Sequence, residues 1–204
     1  MEDYESLAGE GQGLIEAKGS RFHGWAFPLG GDEGLEEALA SARARWTQAN
    51  HHAFAYRLLD RDGGVRYRSA DDGEPGGTAG RPILAVLESR GLLQAGVIVS
   101  RIFGGVKLGT GGLARAYGSA ARAAVDAAGT RGVTLRRKSI VSCPIEHLGS
   151  VEAFLHRSGV AIHARAADAR EARWTVAVST VERDRLAVWL AEETGGRAEI
   201  VDEA

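Results

Sequence analysis

The 204 residues are 44% apolar and 25% charged with a net charge of −2, a balance suited to one large or two small globular cores. Cys143 is the single cysteine, which excludes an intrachain disulfide and any cysteine-built metal centre. No apolar run approaches the roughly 20 residues of a membrane-spanning helix, and the acidic start MEDYESLAGEG is unlike a signal or transit peptide, so a cytoplasmic chain with no membrane partner is expected.

In chain order, GLIEAKGSRFHGWAFPL (13–29) predicts a hairpin turning at Lys18-Gly19-Ser20. DEGLEEALASARARW (32–46) predicts a helix with acids at its start, where the backbone dipole favours them. HHAFAYRLL (51–59) reads as a strand with His52, Phe54, Tyr56 and Leu58 on one face and His51, Ala53, Ala55 and Arg57 on the other. Adjacent histidines on a strand point opposite ways, so His51 and His52 do not share a metal ion. DDGEPGGTAGRPIL (71–84) predicts a turn entering a helix, with Pro82 tolerated in its first turn. AGVIVSRIF (95–103) reads as a buried strand, and residues 111–128 as a long helix. At about 100° per residue that helix buries Leu113, Ala116, Tyr117, Ala120, Ala121, Ala124 and Ala128. Arg115, Ser119, Arg122 and Asp126 point away, and the mostly alanine stripe requires a close approach to the sheet.

A boundary falls near residues 130–138. Beyond it, KSIVSCPIE, VAIHARAAD, ARWTVAVST and RAEIVDE read as strands, with helices over HLGSVEAFLHRSG and VERDRLAVWLAEETGG. The order βαββαβ is that of a ferredoxin-like domain. The expected architecture is therefore α+β, with domains 1–134 and 135–204.

Charge is unevenly spread. Residues 89–145 carry nine basic side chains and one acid, Asp126, whereas both flanks are net acidic. That middle third holds FGGVKLGTGGLARAYG (103–118), with six glycines. It is no Walker loop, because Lys107 is followed by Leu108 rather than Ser or Thr. It also meets the looser dinucleotide pattern, but the acid that pattern requires would be Asp126, still inside the same helix. Glycines at a helix start leave backbone N–H donors for an anion, and Lys107 and Arg115 flank them. The competing reading is that the glycines only permit tight turns and close packing.

Three stretches, HHAFAYRL, SADDGEPGGTAGRPIL and SRIFGGVKLGTGGLARAYG, resemble the signature segments of the YigZ/IMPACT family. The resemblance implies a ribosomal protein S5 domain 2-like fold for the first domain and a ferredoxin-like second one, a pairing similar to the last two domains of elongation factor G. It also implies a link to translation, since the eukaryotic relative regulates the stress control of initiation through protein partners. Ala53, Gly76 and Ile102 depart from the family's usual cysteine, serine and aromatic, which argues against a thiol or hydroxyl nucleophile. GTGGLARA further resembles the phosphate loop of GHMP kinases, without the serines that would stand at Ala114 and Arg115.

The leading expectation is a non-catalytic protein, needing no cofactor or metal, that binds RNA or a ribosomal surface. Its contacts would be Arg81, Arg101, Lys107, Arg115 and Arg122, with the backbone of Gly104, Gly105, Gly109, Thr110, Gly111 and Gly112. No RNP1-type stacking motif is present, so no base-specific readout is expected. His51 is the one acid–base candidate, read first as structural. Asp71, Asp72 and Glu74 are the candidate Mg²⁺ ligands, read first as turn formers. The alternatives are a protein-docking regulator and an enzyme acting on a phosphorylated small molecule at Gly109–Gly112.

Overall fold

A computed structural model describes residues 3–60 and 63–203. Its contacts divide the chain into Tyr4–Val133 and a second unit of Met1–Asp3 with Thr134–Ala204. Both units mix helices with antiparallel sheets, in line with the α+β expectation.

In chain order the first unit carries β1 (Asp3–Leu7), β2 (Gly11–Ala17), β3 (Ser20–Pro28), α1 (Asp32–Arg45), β4 (His51–Leu59), β5 (Val65–Ala70), α2 (Gly80–Ser89), β6 (Ala95–Ile102), α3 (Thr110–Ala128) and β7 (Thr130–Thr134). The predicted hairpin is β2–β3. Lys18 and Gly19 have φ of 47° and 78°, the doubly left-handed turn whose twist suits a two-residue connection. Five strands pair antiparallel in the order β2-β3-β6-β4-β5. The central strand β6 is buried along both faces, which explains its unbroken AGVIV run.

Helix α1 covers one face, where Leu35, Ala38, Leu39 and Ala42 meet Trp25, Phe27, Phe54, Tyr56 and Leu58. Helices α2 and α3 cover the other, against Phe22, Ala53, Ala55, Val97 and Val99. The alanine stripe of α3 lies inward as its periodicity requires. Small residues meet it on the sheet. A Cβ on Gly24 would stand 2.3 Å from the carbonyl oxygen of Ala120, and one on Gly11 2.2 Å from the Ala128 nitrogen. The helix thus rests almost on the backbone of β2 and β3.

Strands β1, β5 and β7 were not foreseen. β1 and β7 form a two-stranded sheet, with Glu5 of β1 also bridging to Leu92, and β5 is an edge strand whose first four residues are exposed. Short, polar, edge-lying segments lack the apolar alternation by which strands are read.

The second unit carries β8 (Arg137–Pro144), α4 (Leu148–Arg157), β9 (Ala161–Ala167), β10 (Glu171–Val178), α5 (Thr180–Thr194) and β11 (Glu199–Asp202). Its sheet has the order β11-β8-β10-β9, antiparallel throughout, over a core of Val141, Leu155, Trp174, Leu186 and Leu190. α5 starts at a reciprocal cap, in which Ser179 Oγ accepts from Glu182 N and the Glu182 carboxylate accepts from Ser179 N. The Arg136 guanidinium and that cap hold the Glu182 carboxyl down at about 2. Gly195, left-handed at φ 60°, ends the helix. Cys143 lies in this core, where burial pushes its thiol pKa up and keeps it neutral. Among the described residues no helix is long and apolar enough to cross a membrane.

Candidate functional site

The acidic turn that precedes α2 assigns a separate task to each of its carboxylates. Asp71 accepts from the N–H groups of Gly77, Ala79 and Gly80 at 2.8–2.9 Å, capping α2 from a distance because Ala79 has no capping side chain. Burial alone would raise its pKa, but the three backbone donors hold it below the usual carboxylate value. Asp72 Oδ2 accepts from the His52 backbone at 2.6 Å, and its carbonyl oxygen lies 2.7 Å from His51 Nδ1. Glu74 turns inward. Turn and tertiary hydrogen bonds therefore occupy all three groups singled out as candidate metal ligands.

Strand register gathers the interior of the site. His51 pairs with Arg101, and Arg101 with Phe22, so one row crosses β4, β6 and β3 on the face covered by α3. Arg101 is only 6% exposed. Its Nη1 donates to Glu74 Oε1 at 2.7 Å, and the same oxygen accepts from Tyr117 Oη at 2.7 Å. The guanidinium stacks 5.4 Å from the Phe22 ring and 5.3 Å from the Phe103 ring. Among the described residues, its Nε is buried without a hydrogen-bond partner. Burial and the neighbouring Glu74 carboxylate raise the Tyr117 phenol well above its ordinary pKa, so it stays a donor. Arg101 was expected at the surface among the phosphate contacts. It is instead the buried counter-ion of Glu74, because its strand position turns it under α3.

The carbonyl of Asp72 can only accept, so His51 Nδ1 carries a proton, and Nε2 is an acceptor when the ring is neutral. His52 is a core residue bonded through Nδ1 to Ser100 Oγ at 2.8 Å, and burial lowers its pKa. The two histidines point to opposite faces, as alternation requires.

Between this network and the start of α3 lies a cavity of about 630 Å³. His51, Glu74 and Arg101 line one side, Lys107, Gly109 and Thr110 another, with Pro75, Phe103, Leu108 and Leu113 as apolar wall. The glycine-rich stretch forms its lip. Gly105 and Gly109, at φ 86° and 73°, take turns that a side chain would strain. Gly104 serves packing. A Cβ there would stand 1.9 Å from the Gly19 carbonyl carbon, and its N–H is taken by Ser20 Oγ at 3.1 Å. It is therefore not among the donors open to an anion.

The remaining donors lie at the first turn of α3. Leu113 N bonds back to Gly109 O, so the N–H groups of Thr110, Gly111 and Gly112 precede the helical ladder. Among the described residues no side chain caps this end, and its first turn holds no acid. Lys107 borders the cavity on one side. Arg115 and Lys18 border a second depression of about 320 Å³ on the other, and Leu108 belongs to both. Arg122 is exposed two turns further along, and Arg81 is exposed in the first turn of α2. Among the described residues, none of Lys18, Arg81, Lys107, Arg115 and Arg122 is within ion-pair distance of a carboxylate. Asp126, the lone acid of the middle third, is held by Arg90.

Sequence reasoning missed Lys18, Ser20, Asn50, Phe103 and Tyr117. Lys18 was read only as a turn residue and Tyr117 only as core. The hairpin that carries Lys18 and Ser20 reaches this loop through the sheet, and no local pattern signals that.

Residues 18–125 match the Impact N-terminal domain, which covers strands β3, β4, β5 and β6, the acidic turn and the glycine-rich lip together. The chain belongs to the IMPACT family. It is 36% identical over 140 residues to IMPACT family member YigZ of Escherichia coli K12, covering 69% of each chain. It is 31% identical over 193 residues to IMPACT family member YvyE of Bacillus subtilis 168, covering 95% of this chain and 87% of that one. An IMPACT family member from Thermus thermophilus is 50% identical over 107 residues, which span 52% of this chain and 55% of the relative. A crystal structure of a hypothetical protein superposes over 100% of this chain and 98% of its own, with a TM-score of 0.78 at 29% identity.

Proposed function

We propose that this IMPACT family member binds RNA, free or on a ribosomal surface, by seating a backbone phosphate at the start of α3, and that it acts in translation without catalysing a reaction. The observation that carries this reading is the uncapped, acid-free N-terminus of a 19-residue helix flanked by Lys18, Lys107 and Arg115. Three converging N–H groups and the helix dipole favour an anion there, and the cations add long-range attraction. Arg122, seven residues from Arg115 and so about 10 Å along the same face, extends the positive track. The βαββαβ order supports reading the second unit as ferredoxin-like, and the family resemblance supports an S5 domain 2-like first unit.

The test is RNA binding and ribosome co-sedimentation across a salt series. Phosphate-dominated binding weakens as salt rises, by a slope of about 0.7 per contact on a single strand. Lys107→Glu with Arg115→Glu should abolish most binding and flatten the slope by roughly 1.4. Unchanged RNA and ribosome binding in that variant would end the proposal. Association that survives nuclease treatment would favour protein docking instead.

A further inference from the structure

The cavity beside the α3 start is far larger than a lone phosphate requires, and most of its wall is not ionic. About 630 Å³ falls within the range of pockets that enclose small organic ligands. Pro75, Phe103, Leu108 and Leu113 supply apolar wall, while Lys107 and, at the start of α3, Gly109 and Thr110 line the same space. Such a shape matches a ligand with a flat apolar body and an anionic tail.

Two features narrow the body to a nucleobase. Phe103 is 47% exposed at the lip, an aromatic ring kept partly in water, with the Arg101 guanidinium 5.3 Å from its centre. A ring backed by a cation is a natural stacking platform for a base. Second, polar groups of both kinds border the same space. His51 has its Nδ1 held by the Asp72 carbonyl, so its Nε2 is the ring atom left for a ligand, an acceptor when the ring is neutral. The Asn50 amide, which bonds to no side chain or backbone group among the described residues, offers a donor and an acceptor.

We infer that the cavity takes one nucleoside monophosphate unit, with its phosphate at Lys107 and the Thr110 N–H of the α3 start and its base against Phe103. This rests on the proposal that the α3 start is the phosphate site, and adds that one base is drawn out of its stack into the pocket. Recognition is then of single-stranded chain, because a duplex holds its bases paired. The same chemistry is offered by a free mononucleotide and by a nucleotide within a strand, and the two are separable.

The experiment titrates the full chain with AMP, UMP, adenosine, inorganic phosphate, a single-stranded RNA decamer and its duplex, read by calorimetry and by backbone amide shifts. The monophosphates are expected to shift the amides of Thr110–Gly112 and the His51 ring, and to bind at least tenfold more tightly than adenosine or phosphate. Phe103→Ala, at an exposed ring, should weaken AMP and decamer binding by fivefold or more, and Phe103→Trp should restore it. A decamer that binds more tightly than AMP identifies a strand as the source, and the reverse identifies a free nucleotide; either supports the pocket. Phosphate binding as tight as AMP, duplex binding as tight as single strand, or an unchanged Phe103→Ala would overturn it. RNA binding that persists in those cases, and is lost only with Lys107→Glu and Arg115→Glu, would leave the phosphate proposal standing. If nothing binds, both fall.

Discussion

Replacing Glu74 by Gln keeps the shape of the side chain and removes one charge from the interior. Glu74 and Arg101 side chains are 3% and 7% exposed, and their 2.7 Å contact is shared with the Tyr117 hydroxyl. With the carboxylate gone, the guanidinium remains charged, buried and sandwiched between Phe22 and Phe103. Removing one partner of a buried pair costs about 3–5 kcal/mol, because the other is left uncompensated. Asp72, close enough to act on the Tyr117 phenol, supplies some residual negative charge. The expectation is therefore the lower end, about 3 kcal/mol, which corresponds to a roughly hundredfold rise in the population of opened molecules. Hydrogen exchange read peptide by peptide measures this directly, with β6 and α3 as reporters and β10 as internal control. Glu74→Leu with Arg101→Met and Tyr117→Phe should recover most of the loss, since an apolar set of similar size carries no desolvation cost and leaves no Tyr117 hydroxyl without its acceptor. A change below about tenfold in β6 and α3 for Glu74→Gln would refute the claim that this pair is a buried, mutually dependent charge couple.

Two further outcomes follow from the packing and the cap. Gly24→Val should destabilise the first unit by about 3 kcal/mol or more in urea unfolding, since even a Cβ would stand 2.3 Å from the Ala120 carbonyl oxygen; a loss under about 1 kcal/mol would contradict the close approach of α3. Asp71→Asn should cost about 1–2 kcal/mol at neutral pH, because one amide NH₂ must face a backbone donor. The folded pKa of Asp71 lies below its unfolded value, so its contribution is complete above the unfolded pKa of about 3.9 and fades as pH falls through and below it. Wild type and variant should therefore converge in stability on acidification, and a gap that stays constant from neutral pH down to about pH 2 would contradict the carboxylate cap.

Much of the site was legible from residue order. The glycine-rich loop entering α3, the outward Arg115 and Arg122, and the turn-forming use of Asp71 and Asp72 were readable because each depends on neighbours within a few residues. Arg101 was not. It sits in a basic stretch and looks like one more surface cation, yet its partner Glu74 is 27 residues away. Gly104 likewise looks like an anion donor until Gly19 and Ser20 of the distant hairpin are placed against it.

What local chemistry settled here is the helices, the strands with apolar alternation (β1, β5 and β7 lack it), and the presence of an unguarded helix start among cations. Helical and strand periods, turn residues and caps act over a few positions, and the order of residues carries them in full. What folding alone decided is which charges are spent on each other and which face the cavity. Lys18 and Arg115 came to one depression, Arg101 was withdrawn beneath Phe103, and a pocket opened between β4, the acidic turn and α3. These outcomes depend on strand register, since moving a strand by one residue turns every side chain to the opposite face.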